Sequence, residues 1–280
     1  MRDLTAEVKA PANGSAPAAT GRRRRGGQRS GSSLAVKVGA VVLTFAAFLL
    51  FLQYGLVHLG VETYIVPKPS TVVSSLNDFW ATDLRDALWF TAREVVFGLL
   101  LGVLVGILLA ILIDALPLLE YVILPYVIAL VMTPMIALVP VVFLQFGDTL
   151  LVRICVVAFA AAPMMMLNTL TGLRRTPEIR LDVMRALRAS RVQTLWKVKL
   201  PSALPMMFTG LLIGSIFAVI AGVGTEFVSS NQGLGAKIVY YSSVAQTDVV
   251  YAAILLLVVM GLVLFGTIKL LERRFAGWRD

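Results

Sequence analysis

The sequence predicts an all-α membrane protein with six transmembrane helices, and three observations carry that prediction. Hydrophobic residues make up 58% of the 280-residue chain and charged residues 15%, against roughly 45–50% and 25% in a soluble globular domain. Six stretches are long and apolar enough to cross a bilayer, which takes about 20 residues in helical form. The 25 Lys and Arg residues are spread asymmetrically about those stretches. One cysteine excludes an internal disulfide framework. The net charge of +9 is therefore tested against membrane topology before any nucleic-acid reading.

Residues 1–33 are rich in Ala, Pro, Gly, Ser and Arg, with four consecutive arginines at 22–25 and a net charge of +5. Such a segment lacks the apolar surface to offset its ordering entropy and is expected to be a disordered cytoplasmic tail. The first membrane segment, 34–59, contains the apolar stretch 38–57, interrupted only by Gln53. It is longer than a signal-peptide core and no small-residue cleavage pattern follows, so it is expected to stay in the bilayer. Residues 60–86, with Pro67 and Pro69 ahead of a short amphipathic run, are expected to form an extracytoplasmic linker. The remaining membrane domain, 87–275, holds the stretches 95–113, 121–146, 154–173, 205–225 and 249–268, none with Asp, Glu, Lys or Arg. Backbone groups in lipid must bond within their own segment, so these are helices. Pro125, Pro134 and Pro140 are expected to break the third stretch and Pro163 the fourth.

With the N-terminus in the cytoplasm, the inside segments carry 20 of the 25 basic residues and the outside segments five. The positive-inside rule then sets both termini inside. Trp80 and Trp89 fall at the outer end of the second stretch, where interfacial aromatics belong. Two stretches carry a small residue at every fourth position: Gly98, Gly102, Gly106 and Ala110 in the second, Gly210, Gly214, Ala218 and Gly222 in the fifth. That spacing gives each helix one face on which a neighbouring backbone can approach closely.

The cytoplasmic segment 174–204 is too patterned for a plain connector. Thr176 and Pro177 read as N-cap and first helical residue. Ile179, Val183 and Leu187 then recur at i, i+4 and i+8, with Arg180, Arg185, Arg188 and Arg191 on other faces. Ser190 is placed to cap a second short helix that stops at Leu200 and Pro201. The pattern suits either a helix docking its apolar ridge in a partner's groove or a helix lying on anionic headgroups.

The stretch Asp182, Val183, Met184, Arg185, Ala186, Leu187, Arg188, Ala189 and Ser190, continued by Val198, Lys199, Leu200 and Pro201, resembles the EAA loop of ABC importer permeases. The run from Thr225 to Gly235, including Gln232-Gly233-Leu234-Gly235, is similar to the branch serving nitrate, sulfonate, taurine and pyrimidine-type solutes. Pro67-Lys68-Pro69-Ser70 fits the same branch. This sequence departs from the family pattern at Asp182, where Glu is usual, at Val183 and Met184, which replace two alanines, and at Arg188, which replaces glycine. The resemblance implies the transmembrane architecture of a type I ABC importer. It implies an ATPase-coupling set of Ile179, Asp182, Val183, Met184, Ala186, Leu187, Arg188, Leu200 and Pro201. The partners it implies are two ABC ATPase subunits, an extracytoplasmic substrate-binding protein and a second copy of the chain.

No G-x-x-x-x-G-K-[ST] occurs, so ATP is expected to be used by a separate subunit and this chain to bind no cofactor, metal or nucleic acid. Met164, Met165 and Met166 point in three directions on a helix and cannot form one chelate. Glu226, beside Gly222 and Gly224 at the outer end of the fifth stretch, is either a functional carboxylate or an interfacial one, paired with Lys237 or capping the short outer helix. With Pro134, Met135, Asn168, Gln232, Gly233 and Gly235 it forms the candidate translocation pathway. A stand-alone secondary transporter or channel is the alternative. The absence of a charge pair within the spans argues against it.

Overall fold

The computed structural model describes residues 32–55, 58, 60, 62, 64–229 and 232–276. All but two residues of the expected tail, 1–33, lie outside them. The chain divides into two compact units, 1–48 and 49–280. The described part of the first is helix α1 (Ser32–Leu50), which reaches into the second and is followed by a π turn at Phe51–Gly55.

The second unit contains α2 (Pro69–Phe79), α3 (Arg85–Ala115), α4 (Leu118–Met132), α5 (Met135–Phe146) and α6 (Leu150–Arg174). Then come α7 (Glu178–Ala186), α8 (Arg191–Thr194), α9 (Leu200–Ser229), α10 (Leu234–Ser243) and α11 (Thr247–Ala276). No strand occurs among the described residues. Four continuous helices are long and apolar enough to cross a membrane, and the α4–α5 pair, taken as one bent span, makes a fifth. The described apolar part of the first segment, Gly39–Gly55, is shorter.

Three local features differ from the sequence expectation. First, the amphipathic run ahead of the second stretch is continuous with it. A π turn at Trp80–Leu84 joins α2 to α3 without a break, giving one helix from Pro69 to Ala115. Second, of the three prolines in stretch 121–146 only Pro134 ends a helix; Pro125 and Pro140 sit inside α4 and α5. At Pro134 the missing N–H coincides with extended backbone at the preceding Thr133 (φ −79°, ψ 125°), and the chain bends by 100°. Pro163 likewise stays within an unbroken α6. Third, the helix expected to stop at Leu200-Pro201 runs on. Arg191–Ser229 is continuous, with a π turn at Leu195–Lys199 placing a wider coil just before Pro201, where the proline ring would crowd the carbonyl four residues back.

The small-residue faces do what their spacing predicts, and both meet α6. A Cβ added at Gly102 would lie 2.8 Å from the Ala158 carbonyl oxygen, and one at Gly106 would lie 2.6 Å from that of Ala162. From the other side, Gly210 abuts Asn168 and Met164, and Gly214 abuts Ala161. Further along α9, Gly222 meets Val95 of α3. Helix α6 is thus held between α3 and α9, with Val157 and Ala161 fully buried. Two further apolar clusters flank this sandwich. Ala110, Ile113, Val127, Met166 and Leu170 lie near the end of α3. Leu84, Leu234, Tyr241, Val249 and Ala253 lie where α10 and α11 meet the start of α3.

Overpacking a core costs about 1–3 kcal/mol, so Gly106→Ala is expected to destabilise the protein by that amount. Gly266→Ala in α11, where an added Cβ meets nothing within 4 Å, is expected to stabilise it by about 0.5–1 kcal/mol. Thermal unfolding of the two variants in the same detergent checks the opposite signs.

Candidate functional site

Helix α7 hangs below the membrane helices as a separate short element. Pro177, not Thr176, takes the N-cap position and the helix begins at Glu178. The Thr176 hydroxyl instead donates back to the Leu173 carbonyl at 2.9 Å. Leu181 and Met184 are half-buried, whereas Ile179 (74% exposed), Val183 (55%) and Leu187 (71%) form an open apolar ridge flanked by exposed Ala186. Trp196 and Val192 extend the uncovered apolar surface onto the next helix. Asp182 is spent on an ion pair within the helix, to Arg185 at 2.7 Å.

Arg188 has φ +51°, a left-handed conformation, shared among non-glycine described residues only by Ala245. The reason is the cap it makes. The Ala189 N–H bonds to the Met184 carbonyl and the Arg188 N–H to the Arg185 carbonyl, both at 2.9 Å. This is the Schellman pattern, in which the residue after the C-cap must be left-handed. The family's glycine suits that geometry, and here Arg188 adopts it with a Cβ present. Ser190 then begins α8 with a capping box, its hydroxyl accepting from the Gln193 N–H and Gln193 returning to the Ser190 N–H. Two caps in succession fix the turn between α7 and the long helix.

That turn is tied to the bundle by polar contacts. Arg180 donates to the Ser202 hydroxyl at 3.1 Å, Lys199 pairs with Asp114 at 2.7 Å, and Arg174 grips both oxygens of Glu120 at 2.7 and 2.6 Å. Leu200 and Pro201 are half-buried within this tie. Between α3 and α8 lies a cleft of about 710 Å³ lined by Asp114, Leu181, Arg185, Arg191 and Lys199.

At the opposite end, the uncharged stretches stop one residue short of a buried polar cluster. Glu94 and Glu226 are fully buried and Arg153 is 3% exposed. Arg153 donates to both oxygens of Asp148, at 2.7 and 2.8 Å, and to the Ser229 hydroxyl. Its remaining nitrogen faces Glu94 at 3.7 Å, and its guanidinium stacks near Phe90 and Phe143. Glu94 also accepts from Thr225. Glu226 accepts from the Gly235 N–H at 2.7 Å and lies 2.6 Å from the Thr91 hydroxyl. Of the two partners expected for Glu226, the short outer helix α10 is capped through this Gly235 bond, whereas Lys237 pairs with Asp83 at 2.6 Å. Asp83 also accepts from Tyr241, and burial, with Asp83 beside it, pushes that phenol well above its ordinary range. The expectation of no buried charge pair in the membrane helices is therefore corrected: Glu94–Arg153 is one, on helices that continue past the uncharged windows.

The seven candidate pathway residues fall in different places. Pro134 and Met135 line an apolar cavity of about 340 Å³ at the α4–α5 bend, with Phe159, Pro163 and Phe217. Gln232 and Gly233 line a polar cavity of about 460 Å³ with Asp83, Asp86, Arg93 and Lys237, at the end of the bundle that holds the buried cluster. Glu226 and Gly235 belong to the buried cluster. Gly233 has φ +94°, and a Cβ there would overlap the Glu226 carboxyl. Asn168 stands apart, donating to the Met164 carbonyl at 2.8 Å. Sequence reasoning missed Glu94 and Arg153; the available signal was an acid and a base each just outside an apolar window.

Residues 102–277 match the family described as binding-protein-dependent transport system inner membrane component. The chain belongs to this family. It is 31% identical to the riboflavin transport system permease protein RibX of Chloroflexus aurantiacus over 84% of its own length and 88% of that protein's. It is 30% identical to the taurine transport system permease protein TauC of Escherichia coli over 52% of its length and 53% of that protein's. A chain of the MetNI methionine ABC transporter has the same fold, with a TM-score of 0.59 at 24% identity, covering 69% of this chain and 95% of that one. The protein is thus a multi-pass ABC transporter permease, a transport component.

The left-handed Arg188 costs this permease about 1 kcal/mol relative to glycine. Arg188→Gly is expected to slow amide hydrogen exchange at Ala189 about fivefold, whereas Arg188→Ala leaves it unchanged.

Proposed function

We propose that the chain is the transmembrane subunit of an ABC importer that works as a pair of copies, with both termini cytoplasmic and six crossings in each copy. In this reading two separate ATPase subunits dock under residues 174–204 and use the ATP, while an extracytoplasmic binding protein delivers the solute to the outer face. The observation that carries the reading is the ridge of Ile179, Val183 and Leu187, 55–74% exposed on a helix capped at its C-terminal end and tied to the bundle. A ridge so uncovered, fixed to a rigid frame, suits a docked partner better than a free loop does.

Motion of the docked ridge reaches the membrane through the cap of α8 and the unbroken helix Arg191–Ser229. Glycine contacts bind α9 to α6 and α6 to α3, so the three move as one body. The α4–α5 pair, bent by 100° and buried fully only at Val127 and Val139, is the element free to re-aim. Its cavity, with Pro134 and Met135, midway along α6, and the outer cavity at Gln232 and Gly233 are two stations of the pathway. Alternating access then follows from the rocking of a rigid body against a bent one. The solute is small and heterocyclic or anionic, as the riboflavin and taurine named in the relatives suggest.

Leu187→Asp places a charge in the docking contact and is expected to weaken ATPase association by at least about 2 kcal/mol, roughly thirtyfold, with transport lost and membrane insertion intact. Co-purification of the ATPase with the variant at the wild-type level would count against docking at this ridge.

A further inference from the structure

Glu226 is fully buried, yet no cation is committed to it. Three sets of groups face it. Helix α3 brings Thr91 and Glu94. Helix α6 brings Arg153, with Asp148 on the connection before it. The start of α10 brings the backbone of Gly233 and Gly235. Arg153 spends two of its nitrogens on Asp148 and Ser229 and turns its third toward Glu94. Lys237, the next cation, is held by Asp83. One guanidinium therefore serves two carboxyl groups, Asp148 and Glu94, and Glu226 is left with two neutral partners, Thr91 and the Gly235 N–H. A carboxylate buried on those terms is far costlier than a neutral acid, because neither partner supplies a compensating charge.

The surrounding bonds have room for a proton. The Thr91 hydroxyl accepts from the Leu234 N–H at 2.9 Å and has the Ala87 carbonyl at 3.1 Å as an acceptor for its own hydrogen. Its second lone pair is then free to accept from Glu226 across the 2.6 Å contact. In that arrangement the hydroxyl donates once and accepts twice, and Glu226 donates through one oxygen and accepts from Gly235 through the other. Every partner is used.

We propose that Glu226 carries a proton and, as a neutral acid, is the positioning residue that seats the start of α10 against α3. The seated turn is one wall of the outer polar cavity, through Gln232, Gly233 and Lys237. Gly233 and Gly235 leave the space that the carboxyl fills. Loss of the proton at alkaline pH puts an uncompensated charge beside Glu94, turns the Thr91 hydroxyl from the Ala87 carbonyl toward Glu226 and loosens that wall.

Infrared difference spectra of the full chain in lipid bilayers test the protonation without reference to transport. A protonated-carboxyl stretch at neutral pH is expected in the wild type and in Glu94→Gln, absent in Glu226→Gln and lost as the pH is raised. A wild-type spectrum at neutral pH lacking any such band removable by Glu226→Gln would overturn the proposal. The positioning role rests on the importer reading only for its second readout, binding-protein-stimulated ATP hydrolysis by the assembled complex. Glu226→Gln keeps the neutral bonding pattern and is expected within about twofold of wild type. Glu226→Ala leaves buried partners unpaired and is expected to be lower by about tenfold or more. Wild-type activity should fall at alkaline pH while that of Glu226→Gln persists; parallel falls would refute the positioning role. Hydrolysis that no binding protein stimulates in any variant would instead be a failure of the importer reading, with the infrared result still standing.

Discussion

Everything in this permease depends on how closely α3 and α9 approach α6. Lipid offers no hydrophobic drive for helices to associate, so contact must come from van der Waals packing and from polar groups that meet across the interface. Gly102 and Gly106 let α3 lie with a bare Cα against the carbonyls of Ala158 and Ala162, and Gly210 and Gly214 do the same for α9 on the opposite side. A single added methyl at Gly106 would come within 2.6 Å of backbone that cannot move aside. The helices are therefore held at one spacing.

That spacing determines what happens at either end of the sandwich. At one end it brings Glu94, Arg153 and Glu226 together from three helices, close enough for a guanidinium and two threonines to divide the carboxyl groups among them. A buried pair of this kind adds little stability, since desolvation consumes most of the Coulomb gain, but a misplaced helix would leave its charges stranded. It enforces register. At the other end the same frame carries Lys199, Asp114 and Arg180, which anchor the segment bearing the exposed ridge. The two ends are joined by one helix from Arg191 to Ser229.

Much of this was legible in the sequence because membrane helices announce themselves by length and lack of charge. The small-residue faces were legible too, since a four-residue spacing in a helix admits few other readings. Proline was a poorer guide. Pro134 breaks its helix, while Pro125, Pro140, Pro163 and Pro201 do not, because neighbouring packing or a π turn absorbs the lost hydrogen bond. Of the two partners expected for Glu226, the short outer helix is the one it caps, through the Gly235 N–H, and Lys237 is not. Lys237 stands nearby in sequence, but pairing is decided by the three-dimensional position of Asp83, 154 residues away. Arg188 is the converse case: it stands where the family pattern has glycine, and the Schellman bonds show why the chain accepts a left-handed residue there.

The central claim is that α3, α6 and α9 act as one body while α7 transmits motion to them. Spin labels at exposed Phe97 on α3 and exposed Ile216 on α9, in one labelled copy per complex, report the spacing across α6 directly. Pulsed resonance distances in the nucleotide-free and ATP-bound complex should show the same single narrow distribution. A shift on the order of 5 Å between the two states, the size of a one-turn slip, would contradict it.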